Sequence, residues 1–257
     1  MSGKTRQDQI LHLLGSRGYM TVRELVETLQ YSTATVNRDL NALQSARLVK
    51  RSHGGVEIAS YGQLPPLPQR QYYHKKEKRR IAREAVEKIQ NGDTVFLDGS
   101  TTVQYMIPFL FEKKDLRIIT NSLRLAIELG DSEFEVICLG GRIYERPHVL
   151  YSDDTVENAM KYRPDIMFFS VDCVTPDGCI RGGNLLYRIM LKNSTQKWFL
   201  TDHTKLTDRM DTVLCDFSAL TGVIADFSFP EKTRESLNCP KLCGQYKNTP
   251  VVENIKN

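Results

Sequence analysis

The chain has 257 residues, 40% of them hydrophobic and 26% charged, the balance of an ordinary soluble globular protein. Its length favours two domains of unequal size over a single core. No run approaches the ~18 consecutive apolar residues of a membrane span, and MSGKTRQDQI lacks the apolar centre of a signal peptide, so a cytoplasmic protein with no membrane partner is expected.

The net charge of +4 is unevenly spread. Residues 1–60 carry eight Lys/Arg against five Asp/Glu, residues 61–90 eight against three, and residues 91–257 nineteen against twenty-three. A basic N-terminal third on an acidic body points to a polyanion-binding head. The six cysteines all lie in the C-terminal half. Cytosolic thiols stay reduced, and Cys239 and Cys243 lack a second Cys or His pair at ligand spacing, so neither a disulfide framework, a metal site nor a cofactor is expected.

In chain order, residues 4–16 put Ile10, Leu13 and Leu14 on one helical face, and Gly18 supplies a turn. Val22, Leu25, Val26 and Leu29 form a second apolar face, which breaks at Gln30-Tyr31. Ser32 offers an N-cap oxygen for a third helix with Val36, Leu40 and Leu43 inward and Thr33, Thr35, Asn37, Arg38 and Asn41 outward. Short hydrogen-bonding side chains beside an arginine, on a helix entered by a tight turn, suit a recognition helix in a DNA major groove. An ordinary helical hairpin would share the apolar spacing. Residues 49–58 then predict a small hairpin around Gly54-Gly55, a wing on which Arg51 and His53 can touch phosphate or a minor groove. Three helices and a wing make a winged helix-turn-helix over residues 1–59.

Residues 60–74 contain Pro65, Pro66 and Pro68 without periodicity and read as a semi-rigid linker. A helix follows with Ile81, Ala82, Ala85, Val86 and Ile89 buried and a basic flank outward. From Asn91 the chain alternates apolar, β-branched runs (94–97, 116–120, 134–139, 166–171, 198–201, 223–225) with helical segments (102–111, 123–129, 153–161, 184–194). That alternation predicts a mainly parallel α/β domain over 75–257.

Ligands of open α/β sheets bind beyond the carboxyl ends of the strands. Those positions hold Asp98, Gly99, Ser100, Thr101 and Thr102, then Thr120 and Asn121, Gly140 and Gly141, Asp172, and Asp202 to Lys205. Small hydroxyls, an amide, carboxylates and a cation at successive strand ends suit a small phosphorylated polyol. Taken singly, each is more often a simple turn.

Two sets of residues resemble one family. Ser32-Thr33-Ala34-Thr35-Val36-Asn37-Arg38-Asp39-Leu40, followed by Lys50-Arg51-Ser52-His53-Gly54-Gly55-Val56, resembles the helix and wing of DeoR-family bacterial transcriptional regulators. Asn37 stands where the first arginine of an Arg-Arg-Asp-Leu run is usual. Further along, Asp98, Ser100, Thr101, Thr102, Asn121, Gly140, Gly141, Asp172, Asp202 and Lys205 match family positions, so the resemblance covers nearly the whole chain. The Asp98–Gly99 loop is one residue shorter than usual, and no acidic residue occurs between Asp177 and Asp202, where the family has a glutamate. The resemblance implies a C-terminal fold related to ribose-5-phosphate isomerase. It also implies a repressor of carbohydrate-metabolism genes, with double-stranded operator DNA and a phosphorylated sugar as partners. Reading enough bases requires a homo-oligomer, dimer or tetramer. The competing reading is a sugar-phosphate isomerase with an accessory DNA head, for which the missing glutamate removes an obvious base.

Overall fold

The computed structural model describes residues 3–17, 19–45, 48–52, 55–58, 73–144, 148–207, 212–231, 233 and 242–243. Gly18, His53, Gly54, Ala59, Cys239 and residues 60–72 of the expected linker lie outside the described residues. The chain divides into two compact units, Met1–Lys75 and Lys76–Asn257.

The first unit contains α1 (Gly3–Arg17), β1 (Met20–Thr21), α2 (Val22–Leu29), α3 (Thr33–Ser45), β2 (Val49–Ser52) and β3 (Gly55–Ile58). Thr21 and Glu24 form a reciprocal capping box that starts α2. Gln30 ends it in the left-handed region at φ 58°, its N–H donating to Val26 O at 2.9 Å. Ser32 Oγ then accepts from Thr35 N at 3.2 Å, so the expected N-cap of α3 is in place. Ile10, Leu14, Leu25, Val36, Leu40, Leu43, Val49 and Val56 form the core. Asp39 is also buried, fixed by Arg6 of α1, whose Nε donates to Oδ2 at 2.8 Å and Nη2 to Oδ1 at 3.2 Å. The hairpin β2–β3 gains β1 as a third strand, antiparallel to β3.

The second unit opens with α4 (Lys75–Val86) and carries a seven-stranded sheet whose paired neighbours all run parallel. Its strands are β4 (Thr94–Leu97), β5 (Arg117–Thr120), β6 (Glu135–Cys138), β7 (Ile166–Phe169), β10 (Gln196–Thr201), β12 (Gly222–Ala225) and β13 (Leu242–Cys243), in the order β13-β12-β10-β7-β4-β5-β6. Helices α7 (Leu123–Gly130), α8 (Asp153–Ala159) and α9 (Leu185–Asn193) lie at the expected places. Phe96, Ile118, Ile119, Met167, Phe168, Phe199 and Leu200 are buried, which explains why these strands read as continuous apolar runs.

Three expectations need correction. The single helix over 102–111 is two short pieces, α5 (Thr101–Gln104) and α6 (Ile107–Leu110). Pro108, which lacks a donor for a continuing helix, sits in the first turn of the second. A separate antiparallel sheet of β8 (Cys173–Val174), β9 (Cys179–Arg181) and β11 (Val213–Asp216) was not foreseen. Finally, the basic flank of α4 is not wholly outward: Lys78 is buried, because it lies three and four residues before Ile81 and Ala82 on the apolar face.

Candidate DNA interface and effector site

On α3, Ser32, Thr33, Arg38 and Asn41 are exposed and Thr35 and Asn37 half-buried. Asn37 Nδ2 donates to Thr33 O at 3.0 Å. Arg51, half-buried on β2, sends its guanidinium back to the helix: Nη1 donates to Asn41 Oδ1 at 2.8 Å and Nη2 to Asn37 Oδ1. Arg51 thus meets Asn37 and Asn41 on one face of α3.

In the second unit the chain runs β4, β5, β6 toward one edge of the sheet and then returns through β7, β10 and β12 toward the other. The reversal between β4 and β7 is a topological switch point, where α/β sheets open a crevice. Because the strands are parallel, the loops after β6, β5, β4, β7 and β10 meet along one edge, bringing together the groups expected from the sequence.

The loop after β4 is built around Asp98. This carboxylate is fully buried; Oδ1 accepts from Ser100 N at 3.0 Å, while Oδ2 accepts from Ser170 N at 2.9 Å and Tyr187 OH at 3.0 Å. Burial pushes its pKa up, and the bonds from Ser100, Ser170 and Tyr187 oppose that shift. Asp98 therefore folds the loop and ties it to the next strand across the switch point. Ser100 Oγ caps α5 by accepting from Val103 N at 3.3 Å. Gly99 is needed for packing, since a Cβ there would stand 2.7 Å from Val149 Cγ2.

After β5, Thr120 Oγ1 accepts from Ser122 N at 3.0 Å, and Asn121 clamps Leu150 through its side-chain Nδ2 (3.1 Å to Leu150 O) and its main-chain oxygen (2.8 Å from Leu150 N). Gly140 and Gly141 both adopt positive φ, 71° and 109°, and Gly140 O accepts from Thr155 Oγ1 at 2.7 Å. Asp172 is half-buried beyond β7. Asp202 caps a short 3-10 turn (His203–Lys205), accepting from Thr204 N at 3.1 Å. The buried Lys205 Nζ donates to Ser170 Oγ at 2.7 Å.

Two polar atoms in this cluster stand out. The buried Thr102 Oγ1, in the first turn of α5, and Asn121 Oδ1, just after the neighbouring β5, have no hydrogen-bond partner among the described residues. Buried polar groups are normally satisfied, and each exception calls for a physical explanation.

The burial of Lys78 and the partner of His203 were not read from the sequence. Lys78 Nζ donates to Thr101 Oγ1 at 3.4 Å, a second buried ammonium beside the loop; its position in the apolar stripe of α4 was the available signal. His203 Nδ1 lies 2.6 Å from Asp226 Oδ2, and its main-chain N–H donates to Asp226 Oδ1 at 2.7 Å. The bond to Asp226 raises the imidazole pKa against partial burial. Nothing local in the sequence joins residues 203 and 226, which meet only because β10 and β12 are neighbours. The described residues hold no group of His, Cys, Asp and Glu suited to a metal ion. No helix among them is long and apolar enough to cross a membrane.

Residues 6–61 match the model of the DeoR-like helix-turn-helix domain, and residues 73–227 that of the DeoR C terminal sensor domain. The chain belongs to the DeoR family. As a member it is a DNA-binding transcriptional regulator with a sensor domain. Among its DeoR-family relatives, the lactose phosphotransferase system repressor of Staphylococcus aureus (strain N315) is 32% identical, the match covering 90% of this chain and 95% of that one. The glycerol-3-phosphate regulon repressor of Escherichia coli (strain K12) is 29% identical, over 92% of this chain and 96% of that one. Among solved structures, ribose 5-phosphate isomerase A from Methanocaldococcus jannaschii is 21% identical with a TM-score of 0.38, covering 52% of this chain and 55% of that one.

Proposed function

We propose that this DeoR-family chain is a cytoplasmic repressor of carbohydrate-metabolism genes that binds double-stranded operator DNA through α3 and the wing. A small phosphorylated sugar or sugar alcohol binds at the switch point of its C-terminal unit and alters DNA affinity. The observation that carries this reading is the pair of buried, unpartnered oxygens, Thr102 Oγ1 and Asn121 Oδ1, in a cluster that also holds the buried ammonium groups of Lys78 and Lys205. The cations and the Ser100–Thr102 loop suit a phosphate dianion, and the two oxygens suit the hydroxyls of a polyol. The names of the relatives, which refer to glycerol-3-phosphate and to a lactose phosphotransferase system, support the same ligand class.

Ser32, Thr33, Thr35, Arg38, Arg51 and His53 are the proposed DNA-contacting residues, and Asn37 belongs to the same site through Arg51, whose guanidinium it bonds. Asp98, Gly99, Ser100, Thr101, Thr102, Thr120, Asn121, Gly140, Gly141, Asp172 and Lys205 are the proposed effector residues, with Asp98 acting through the loop it folds. Association into a dimer or tetramer is assigned to the C-terminal unit, since one small head reads too few bases alone. Asp98 and Asp202 are ill suited to serve as an isomerase base, since Asp98 is engaged by three donors and Asp202 by the turn it caps.

Thermal unfolding of the full chain against a panel of sugar phosphates and their unphosphorylated counterparts tests the proposal. A ligand at one hundred times its Kd stabilises the native state by about 2.7 kcal/mol. At least one phosphorylated compound is expected to raise the melting temperature while its parent sugar does not. A flat response across the panel contradicts the effector assignment, and product formation would favour the enzyme.

A further inference from the structure

The usual place for a base-reading arginine is the recognition helix itself, yet α3 holds its one arginine, Arg38, beside an asparagine at position 37. That asparagine is occupied twice: Nδ2 donates to Thr33 O, and Oδ1 accepts from Arg51 Nη2. One helical turn further on, Asn41 Oδ1 accepts from Arg51 Nη1 at 2.8 Å. Thr33, Asn37 and Asn41 follow one another at intervals of four residues and so form a single line along α3. The guanidinium of Arg51 lies along that line although its backbone belongs to β2, where it pairs with Val56 of β3.

We infer that Arg51 is a base-reading residue of this protein, presented to the major groove on the face of α3 by Asn37 and Asn41. A guanidinium has five N–H donors. The two asparagine oxygens take one N–H each from Nη1 and Nη2, which fixes the plane of the group and leaves three donors, Nε–H among them. The remaining N–H groups suit the paired acceptors O6 and N7 of guanine, the commonest specific arginine contact in the major groove. Two anchors one turn apart also remove most of the rotamer freedom that a long side chain otherwise loses on binding. The wing thus supplies the side chain and the helix its orientation, whereas an arginine reaching out from the wing would meet only phosphate or minor groove. Asn37 and Asn41 are positioning residues: their oxygens face Arg51, not the DNA. Lysine at 51 cannot replace this arrangement, because an ammonium is a point charge that neither spans two amides nor forks onto a base.

The inference rests on the DNA-binding reading of the first unit, and one experiment separates the two. The full-length wild-type chain, Arg51→Lys, Asn41→Ala and Asn37→Ala are each used to select double-stranded oligonucleotides from a random pool at fixed salt, with thermal unfolding as a folding control. The wild-type chain is expected to enrich a site containing a strongly preferred guanine. In Arg51→Lys the preference for that guanine should fall about tenfold or more while the other positions persist. Asn41→Ala and Asn37→Ala should weaken the same position at unchanged arginine charge, which a purely structural role would not do. An unaltered guanine preference in Arg51→Lys, with affinity reduced evenly across all sites, assigns Arg51 to phosphate and overturns the inference. Failure of the wild-type chain to enrich any sequence overturns the DNA-binding reading as well.

Discussion

Lys205 Nζ donates to Ser170 Oγ at 2.7 Å, and Ser170 N donates to Asp98 Oδ2 at 2.9 Å, so the loops after β10, β7 and β4 are tied in series at the switch point. The ammonium is buried and reaches the cluster already oriented. Replacing it removes a charge-assisted donor but leaves the Asp98 scaffold intact. Lys205→Ala is expected to weaken a phosphorylated effector by about 1.5–3 kcal/mol, the usual range for hydrogen bonds to charged groups. Its affinity for the unphosphorylated sugar should change much less. Calorimetric titration with both compounds checks this, and an equal loss for the two would place Lys205 away from the phosphate.

Thr102 Oγ1 is buried without a partner among the described residues, so the free protein bears a cost that a bound hydroxyl would relieve. Thr102→Val keeps the shape and removes the orphaned group. The variant should therefore unfold at a melting temperature equal to or slightly above that of the parent, by up to about 1 kcal/mol of stability, while binding effector more weakly. Function and stability moving in opposite directions is the signature. Loss of both together would mean that Thr102 serves packing alone.

Much of this arrangement was legible in the sequence, for identifiable reasons. Strands such as Ile166–Phe169 are buried along their whole length, so every residue is apolar and the run is conspicuous. Ser32 and the left-handed Gln30 bracket a turn whose chemistry is local. Tertiary pairings were not legible. The two-residue β8 exists only because β9, itself paired with β11, stands beside it, and Lys78 reads as one more member of a basic flank unless its spacing to Ile81 and Ala82 is given priority. The order of the sheet, and with it the switch point, follows from the return of β7 to the free side of β4, which no local pattern encodes. Arg51 was expected to act from the wing, and its bonds to Asn37 and Asn41 link residues 14 and 10 positions apart.

The His203–Asp226 pair predicts a pH dependence of stability. Hydrogen bonding to Asp226, and charge from Asp226, Asp202 and Glu77, hold the imidazolium form in the folded state against the effect of burial. The folded pKa is raised, so the pair's contribution is fully present below the unfolded value of about 6.5 and is lost as pH rises through the folded value. The imidazole is partly exposed, with 42% of its side-chain surface accessible, so solvent screening keeps the contribution small. Melting temperature should decline over this window in the parent chain, and Asp226→Asn should flatten the decline. An identical pH profile in the variant would remove the pair from the account.

The central claim is that occupation of the C-terminal cluster changes the affinity of the head for DNA. It is tested most directly by titrating the full chain with a selected DNA site, with and without a saturating sugar phosphate that raises its melting temperature. Allosteric coupling of about 1–3 kcal/mol corresponds to a change of roughly 5- to 150-fold in DNA affinity. The same factor must appear in effector affinity when DNA is bound, because the coupling is reciprocal. The account predicts both changes, of equal size. Equal DNA affinity with and without the bound effector would contradict it.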